Sequence, residues 1–81
     1  MPVIVYSKNS CPACSQAKVL LDTKGVAYDV KMVDRDMDAM DFMVEQGHRS
    51  MPQIYKDGAL AVEGGYLGLT KLTDEQWAKL K

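Results

Sequence analysis

Histidine, tryptophan and phenylalanine occur once each in the 81 residues, cysteine only twice, and no charge sign dominates, with ten Lys+Arg against eleven Asp+Glu. Each scarcity removes a class of function. A structural zinc site takes four ligands, usually Cys and His. Cys11, Cys14 and His48 are the whole supply, so a metal would need carboxylates or a second chain, and no metal site is expected. A net charge of -1 leaves no basic field for nucleic acid or an anionic membrane, and neither is expected as a partner. No apolar run approaches the roughly 20 residues of a membrane-spanning helix. The start, Met1 to Tyr6, has neither the charged region nor the long apolar core of a secretion signal, and the expected location is cytoplasmic. Repeats, low-complexity tracts and linkers are also missing. What remains is one domain over residues 1–81, with 47% hydrophobic residues to build a core. A chain this short is marginal unless well packed or stapled.

The pattern that is present reads as alternating strands and helices. Val3 to Tyr6 is a β-branched and aromatic run, a buried strand. Ser7 to Ser10 is a polar loop, and Pro12 suits the first turn of a helix, where a missing N–H costs nothing. Cys14, Ala17, Leu20 and Leu21 then recur at helical spacing as a core-facing stripe, and Gly25 ends the helix. Ala27 to Val33 is a second strand, which makes a βαβ unit with a right-handed crossover and parallel strands. Asp34 to Asp36 can cap a second helix, in which Met37, Met40, Met43 and Val44 recur at three- and four-residue intervals. The methionines of Met32–Met43 are read as flexible core filling. Gln53 to Tyr55 and Ala59 to Glu63 form an antiparallel pair across Asp57-Gly58. Gly64-Gly65 breaks the chain, a helix starts at Tyr66, and Thr73 to Gln76 has the form of a capping box before a last turn or two. The expected order is βαβ-α-ββ-α: an α/β fold, a four-stranded mixed sheet with three helices on its two faces.

The two cysteines allow three readings. The metal clip lacks ligands. A structural staple across so short a loop removes little entropy from the unfolded chain, and the cytosol would tend to reduce it. The redox reading has positive physics. With Pro12 as the first helical residue, Cys11 sits at the N-cap, where its sulfur can accept from the free N–H groups of Ala13 and Cys14. The helix dipole favours negative charge there, and Lys8 adds a cation nearby. Thiolate is therefore favoured at Cys11. Cys14, one turn inside, is the more buried and poorer nucleophile, within disulfide reach. A Cys-x-x-Cys after a strand, opening the helix of a βαβ unit, marks a thioredoxin-like redox site.

These residues, in this order, resemble the glutaredoxins, above all the short single-domain dithiol forms of bacteria and phages. Lys8-x-x-Cys11-Pro12-Ala13-Cys14 is similar to the family's Lys-x-x-Cys-Pro-Tyr-Cys, Ser50-Met51-Pro52-Gln53-Ile54-Tyr55 to its Thr-Val-Pro-Gln-Ile-Phe, and Gly64-Gly65-Tyr66 to the start of its Gly-Gly-x-Asp-Asp-Leu. The resemblance covers nearly the whole chain and implies a thioredoxin-like fold. It implies a glutathione-dependent oxidoreductase acting on protein disulfides and glutathione mixed disulfides, with Cys11 and Cys14 catalytic. It implies a glutathione or substrate groove shaped by Lys8, Pro12, Ala13, Met51, Pro52, Gly64, Gly65 and Tyr66. Pro52 would be cis, Met51 would offer its backbone to an extended peptide, Lys8 would meet a carboxylate, and the glycines would allow close backbone approach. No cofactor would be held permanently, glutathione being the reductant. Disulfide-containing proteins, ribonucleotide reductase among them by family analogy, would be the acceptors, and the protein would act as a monomer.

Three positions depart from the family pattern. Ala13 stands for the usual tyrosine, Leu67-Gly68 for the Asp pair, and His48 for a frequent Arg. Thr70 could replace the acids in part, and His48 reads either as a glutathione contact or as a cation at a helix end. An alternative follows from them. The NrdH-redoxins share fold and size but draw electrons from thioredoxin reductase; their Trp-Ser-Gly-Phe-Arg-Pro segment is missing here. A third reading, a module binding an iron–sulfur cluster with glutathione, conflicts with Pro12, because such members more often carry Gly or Ser after the first Cys.

Overall fold

The computed structural model describes residues 3–81. Met1 and Pro2, the first residues of the domain expected over 1–81, lie outside the described residues. The elements are β1 (Val3–Ser7), α1 (Pro12–Thr23), β2 (Tyr28–Met32), α2 (Met37–Glu45), β3 (Gln53–Lys56), β4 (Ala59–Val62), α3 (Gly65–Thr70) and α4 (Asp74–Leu80).

The four strands form one sheet in the order β2-β1-β3-β4. β1 pairs parallel with β2 and antiparallel with β3, and β3 pairs antiparallel with β4. β1 is thus an interior strand, which explains its apolar run. The β3–β4 hairpin turns on Asp57 and Gly58, both at positive φ (53° and 79°), the geometry a two-residue turn needs to match strand twist.

Alternation along β1 divides its side chains between the faces. Val3 and Val5, with Ile54 and Val62, meet Ala17 and Leu21 of α1, Leu69 of α3, and Trp77 and Leu80 of α4. Tyr6 and Tyr55 meet Ala39 and Met43 of α2 on the other side. This is the mixed sheet with helices on both faces that the pattern predicts.

Two expectations need correction. Among the described residues there are four helices, not three. Thr73 Oγ1 accepts from the Gln76 N–H (3.2 Å) while the Thr73 N–H donates to Gln76 Oε1 (2.9 Å). That complete capping box starts a separate helix rather than adding a turn to the one before it. The methionines of α2 are also mostly not core. Met37 is 80% exposed, Met40 41% and Val44 64%, whereas Ala39 and Met43 are buried. The rings of Tyr6 and Tyr55 fill the space beneath α2, so the helix turns its small Ala39 and its flexible Met43 inward.

Candidate active site

The parallel β1–α1 connection brings the start of α1 to the end of the central strand. Ser10 adopts a left-handed conformation (φ 55°), which turns the chain so that Cys11 caps α1 with extended backbone and Pro12 opens the helix. The Asn9 N–H donates to Asp34 Oδ2 (3.1 Å), tying this loop to the chain leaving β2. The Cys14 N–H donates to Cys11 Sγ (3.2 Å). Of the two N–H groups expected to reach that sulfur, Cys14 supplies the observed bond, as the third helical residue commonly does for a cap.

Cys11 and Cys14 are joined as a disulfide with Cα atoms 5.2 Å apart. Cys14 is 1% exposed, and Cys11 is only half-buried. One sulfur therefore faces incoming reactants and the other lies behind it. That arrangement suits exchange in which the outer sulfur meets a partner and the inner one closes the cycle.

The Met51–Pro52 peptide bond is cis, and Cys11 Sγ lies 3.6 Å from the Met51 carbonyl oxygen. A disulfide sulfur has no proton to share there, whereas the reduced thiol has one to donate. Two hollows lie at this end of the molecule, one containing the cysteines and one containing Met51. One, of about 420 Å³, is lined by Ala13, Met51, Pro52, Gly64, Gly65 and Tyr66. The other, of about 530 Å³, contains Cys11, Pro12, Cys14, Lys8 and Lys18. The residues singled out from sequence fall in two hollows: Ala13, Met51, Pro52, Gly64, Gly65 and Tyr66 line one, and Lys8 and Pro12 line the other with the two cysteines.

Gly65 explains why α3 can approach so closely. A Cβ on it would sit 2.7 Å from the Pro52 carbonyl oxygen, and its φ is +58°. Only glycine fits both demands. Gly68 is equally constrained, since a Cβ there would run into the Glu63 carbonyl oxygen and lie 2.8 Å from Val62 Cγ1. On this backbone, position 68 has no room for the family's second acid, and Leu67, which stands for the first, is 66% exposed. The Thr70 hydroxyl donates back to the Leu67 carbonyl (2.6 Å), which leaves its oxygen lone pairs as acceptors.

Sequence reasoning passed over some members of the site. Gln53, which the sequence places in the expected strand and in the Pro52-Gln53-Ile54 match but in no site role, is buried (8% exposed), lines the Met51 groove, and donates from Nε2 to the Ser50 carbonyl (2.9 Å). It braces the loop that carries Met51. Its signal was a polar side chain inside an otherwise apolar strand. Lys18 lies seven residues after Cys11, two helical turns along the same side, a periodicity that pointed to it. His48 lies just past the end of α2, where its N–H donates to the Met43 carbonyl (2.9 Å), and its Nε2 lies 2.6 Å from the Tyr55 hydroxyl. Burial pushes the phenols of Tyr6 and Tyr55 above the ordinary 10.0, Tyr6 with help from the Asp36 charge and Tyr55 with help from Tyr6.

Among the described residues, no group of three or more His, Cys, Asp or Glu is placed to hold a metal ion, and no helix is long and apolar enough to cross a membrane.

Comparison with known proteins agrees with this geometry. The glutaredoxin family profile matches residues 3–61. Glutaredoxin 3 of Escherichia coli strain K12 is 36% identical over 56 residues, 68% of each chain. The glutaredoxin-like protein NrdH of Lactococcus lactis is 36% identical over 55 residues, covering 68% of this chain and 76% of that one. Among solved structures, a buckwheat glutaredoxin–glutathione complex superimposes with a TM-score of 0.76 at 26% identity, over 98% of this chain and 74% of that chain. The fold is thioredoxin-like.

Proposed function

The chain belongs to the glutaredoxin family, a thiol–disulfide oxidoreductase whose redox pair is Cys11 and Cys14, and from that membership we propose that it reduces protein disulfides and glutathione mixed disulfides with electrons from glutathione. The observation that carries the reading is the pairing of an outer sulfur at a helix N-cap with a buried one behind it.

Cys11 as thiolate attacks one sulfur of the client disulfide. A mixed disulfide forms at Cys11, and the client's other sulfur leaves as thiolate and takes up a proton. Cys14, deprotonated, then attacks Cys11 Sγ; the Cys11–Cys14 disulfide forms and the second client sulfur departs. Two glutathione thiols reverse the change in the protein and leave as glutathione disulfide. The Cys14 N–H and the start of α1 favour the thiolate of Cys11 whenever it leaves a disulfide. Ala13, Pro12, Met51, Pro52, Gly64, Gly65 and Tyr66 would shape the groove, with the Met51 backbone pairing to the extended reactant. Lys8, in the hollow that contains Cys11, would attract a carboxylate. We take the domain to span residues 1–81 and to act as a cytoplasmic monomer that holds no permanent cofactor, with ribonucleotide reductase among its acceptors.

A second reading is favoured by the lack of charge in the Met51 groove and by the likeness to the Lactococcus NrdH protein. In it the electrons come from thioredoxin reductase. The test follows NADPH consumption with a disulfide substrate, once with glutathione and glutathione reductase and once with thioredoxin reductase alone. Turnover with the glutathione system is expected. Turnover with thioredoxin reductase only would replace the first reading by the second.

A further inference from the structure

Beyond the groove at Cys11, a shallow notch of about 330 Å³ opens between α1 and the start of α3, floored by Val19, Leu20 and Tyr66 and edged by Ser15, Gln16 and Thr23. No side chain in it is charged. Val19 is 64% exposed, although it lies on a helix that otherwise turns its larger apolar residues toward the core. Gln16 and Tyr66 line both the notch and the Met51 groove, so the two are continuous, and the Met51 carbonyl oxygen of that groove lies 3.6 Å from Cys11 Sγ. The hollow that contains the cysteines differs in kind, since it carries Lys8 and Lys18.

A reactant whose sulfur meets Cys11 must lead its chain away along one of these hollows. Val19 is eight residues after the N-cap Cys11, which places it about 12 Å along the helix axis. An extended chain covers that distance in about three to four residues. Glutathione has a single residue on each side of its cysteine and falls short. A protein or peptide does not. We propose that the Val19–Leu20–Tyr66 notch is an anchor site for protein clients, receiving a large apolar side chain about three to four residues from the client's reactive cysteine. This rests on the reading above only in taking Cys11 as the sulfur that meets the client.

The test needs no reductase. The protein, reduced beforehand, is mixed with a peptide disulfide, quenched in acid, and its remaining thiols are counted. Each turnover converts one peptide disulfide into two peptide thiols and the Cys11–Cys14 dithiol into its disulfide. Peptides carry Leu or Asp four residues before the cysteine, or Leu or Asp four residues after it. Glutathione disulfide serves as the short reactant. In one of the two positions the Leu peptide is expected to react about tenfold faster than its Asp counterpart, the scale set by burying one Leu side chain. Val19→Lys should erase that preference, while Val44→Lys, an equally exposed valine on α2 (64%), should keep it. Equal rates for Leu and Asp peptides with the unaltered protein would overturn the proposal, as would a preference that survives Val19→Lys. So would an increase in monomer on light scattering for Val19→Lys, because the notch would then be a contact between copies. Failure of glutathione as electron donor would show only in the coupled NADPH assay and would leave these ratios untouched.

Discussion

On one face of the sheet, Val3, Val5, Ile54 and Val62 lie under three helices and pack mostly against aliphatic side chains. On the other face, α2 alone covers Tyr6 and Tyr55, and the packing is aromatic. The Tyr6–Tyr55 ring centroids are 5.4 Å apart, Phe42–Tyr55 5.2 Å and Tyr6–Phe42 5.6 Å, and His48 closes the cluster on the Tyr55 hydroxyl. The first face supplies the cysteines through α1 and the close pass of α3 over Pro52. The second supplies no reacting atom, yet Met51 packs against it. The disulfide therefore lies on a seam: sulfur from one face, and the backbone that faces it from a loop seated on the other. Changes on the α1–α3 side should reach the chemistry directly, and changes under α2 should act mainly through stability.

The sharpest test of that division compares two glycines with the same left-handed backbone. Gly65→Ala puts a Cβ at 2.7 Å from the Pro52 carbonyl at φ +58°, whereas Gly47→Ala, at φ +79° at the end of α2, meets nothing within 4 Å. The first should lose about two orders of magnitude in exchange rate, the scale of a displacement of about 1 Å at a reacting centre, together with about 2–5 kcal/mol of stability. The second should lose about 1–2 kcal/mol and keep its rate. Denaturant midpoints and single-turnover rates measured on both would break the comparison if Gly47→Ala proved the slower enzyme.

Next in size is a pair within α2. Met43 is fully buried and Met37 is 80% exposed. Met43→Ala should cost about 2–5 kcal/mol in urea unfolding, and Met37→Ala less than about 0.5 kcal/mol. The exchange rate of each folded variant should be unchanged.

The smallest effect is a titration. The phenols of Tyr6 and Tyr55 are raised above 10.0 by burial. The folded state therefore keeps protons that the unfolded chain has released. Their contribution to stability is complete below the ordinary value of 10.0 and is lost as pH rises through the raised values. The urea midpoint should fall above that pH, less steeply in Tyr55→Phe. At neutral pH the same variant should cost about 1 kcal/mol, because His48 loses its partner.

Much of this was legible before any coordinates. Strand alternation, the Pro12 helix start, the Asp57-Gly58 turn and the Thr73 capping box are local signals whose physics acts within a few residues. The Cys11–Cys14 pair could be read the same way. What escaped depends on packing between distant segments. The methionine spacing along α2 is helical on either side of the helix, and only the bulk of Tyr6 and Tyr55 decides which side turns inward. The demand for glycine at 68 comes from the Glu63 carbonyl, in a loop that no periodicity describes. Lys8 and Met51 line different hollows, a separation that no local signal carries. His48 finds Tyr55 seven residues on, across a loop turn and a strand start.

The central claim, an outer sulfur that reacts and a buried one that resolves, is tested most directly by Cys14→Ser. The variant is mixed with a protein disulfide and with a glutathione mixed disulfide, and intact masses are recorded alongside rates. The account predicts a client trapped as a mixed disulfide at Cys11, loss of protein-disulfide turnover, and continued reduction of the glutathione mixed disulfide. Loss of both activities with no trapped adduct would mean that Cys14, not Cys11, meets the substrate, and the assigned roles would be wrong.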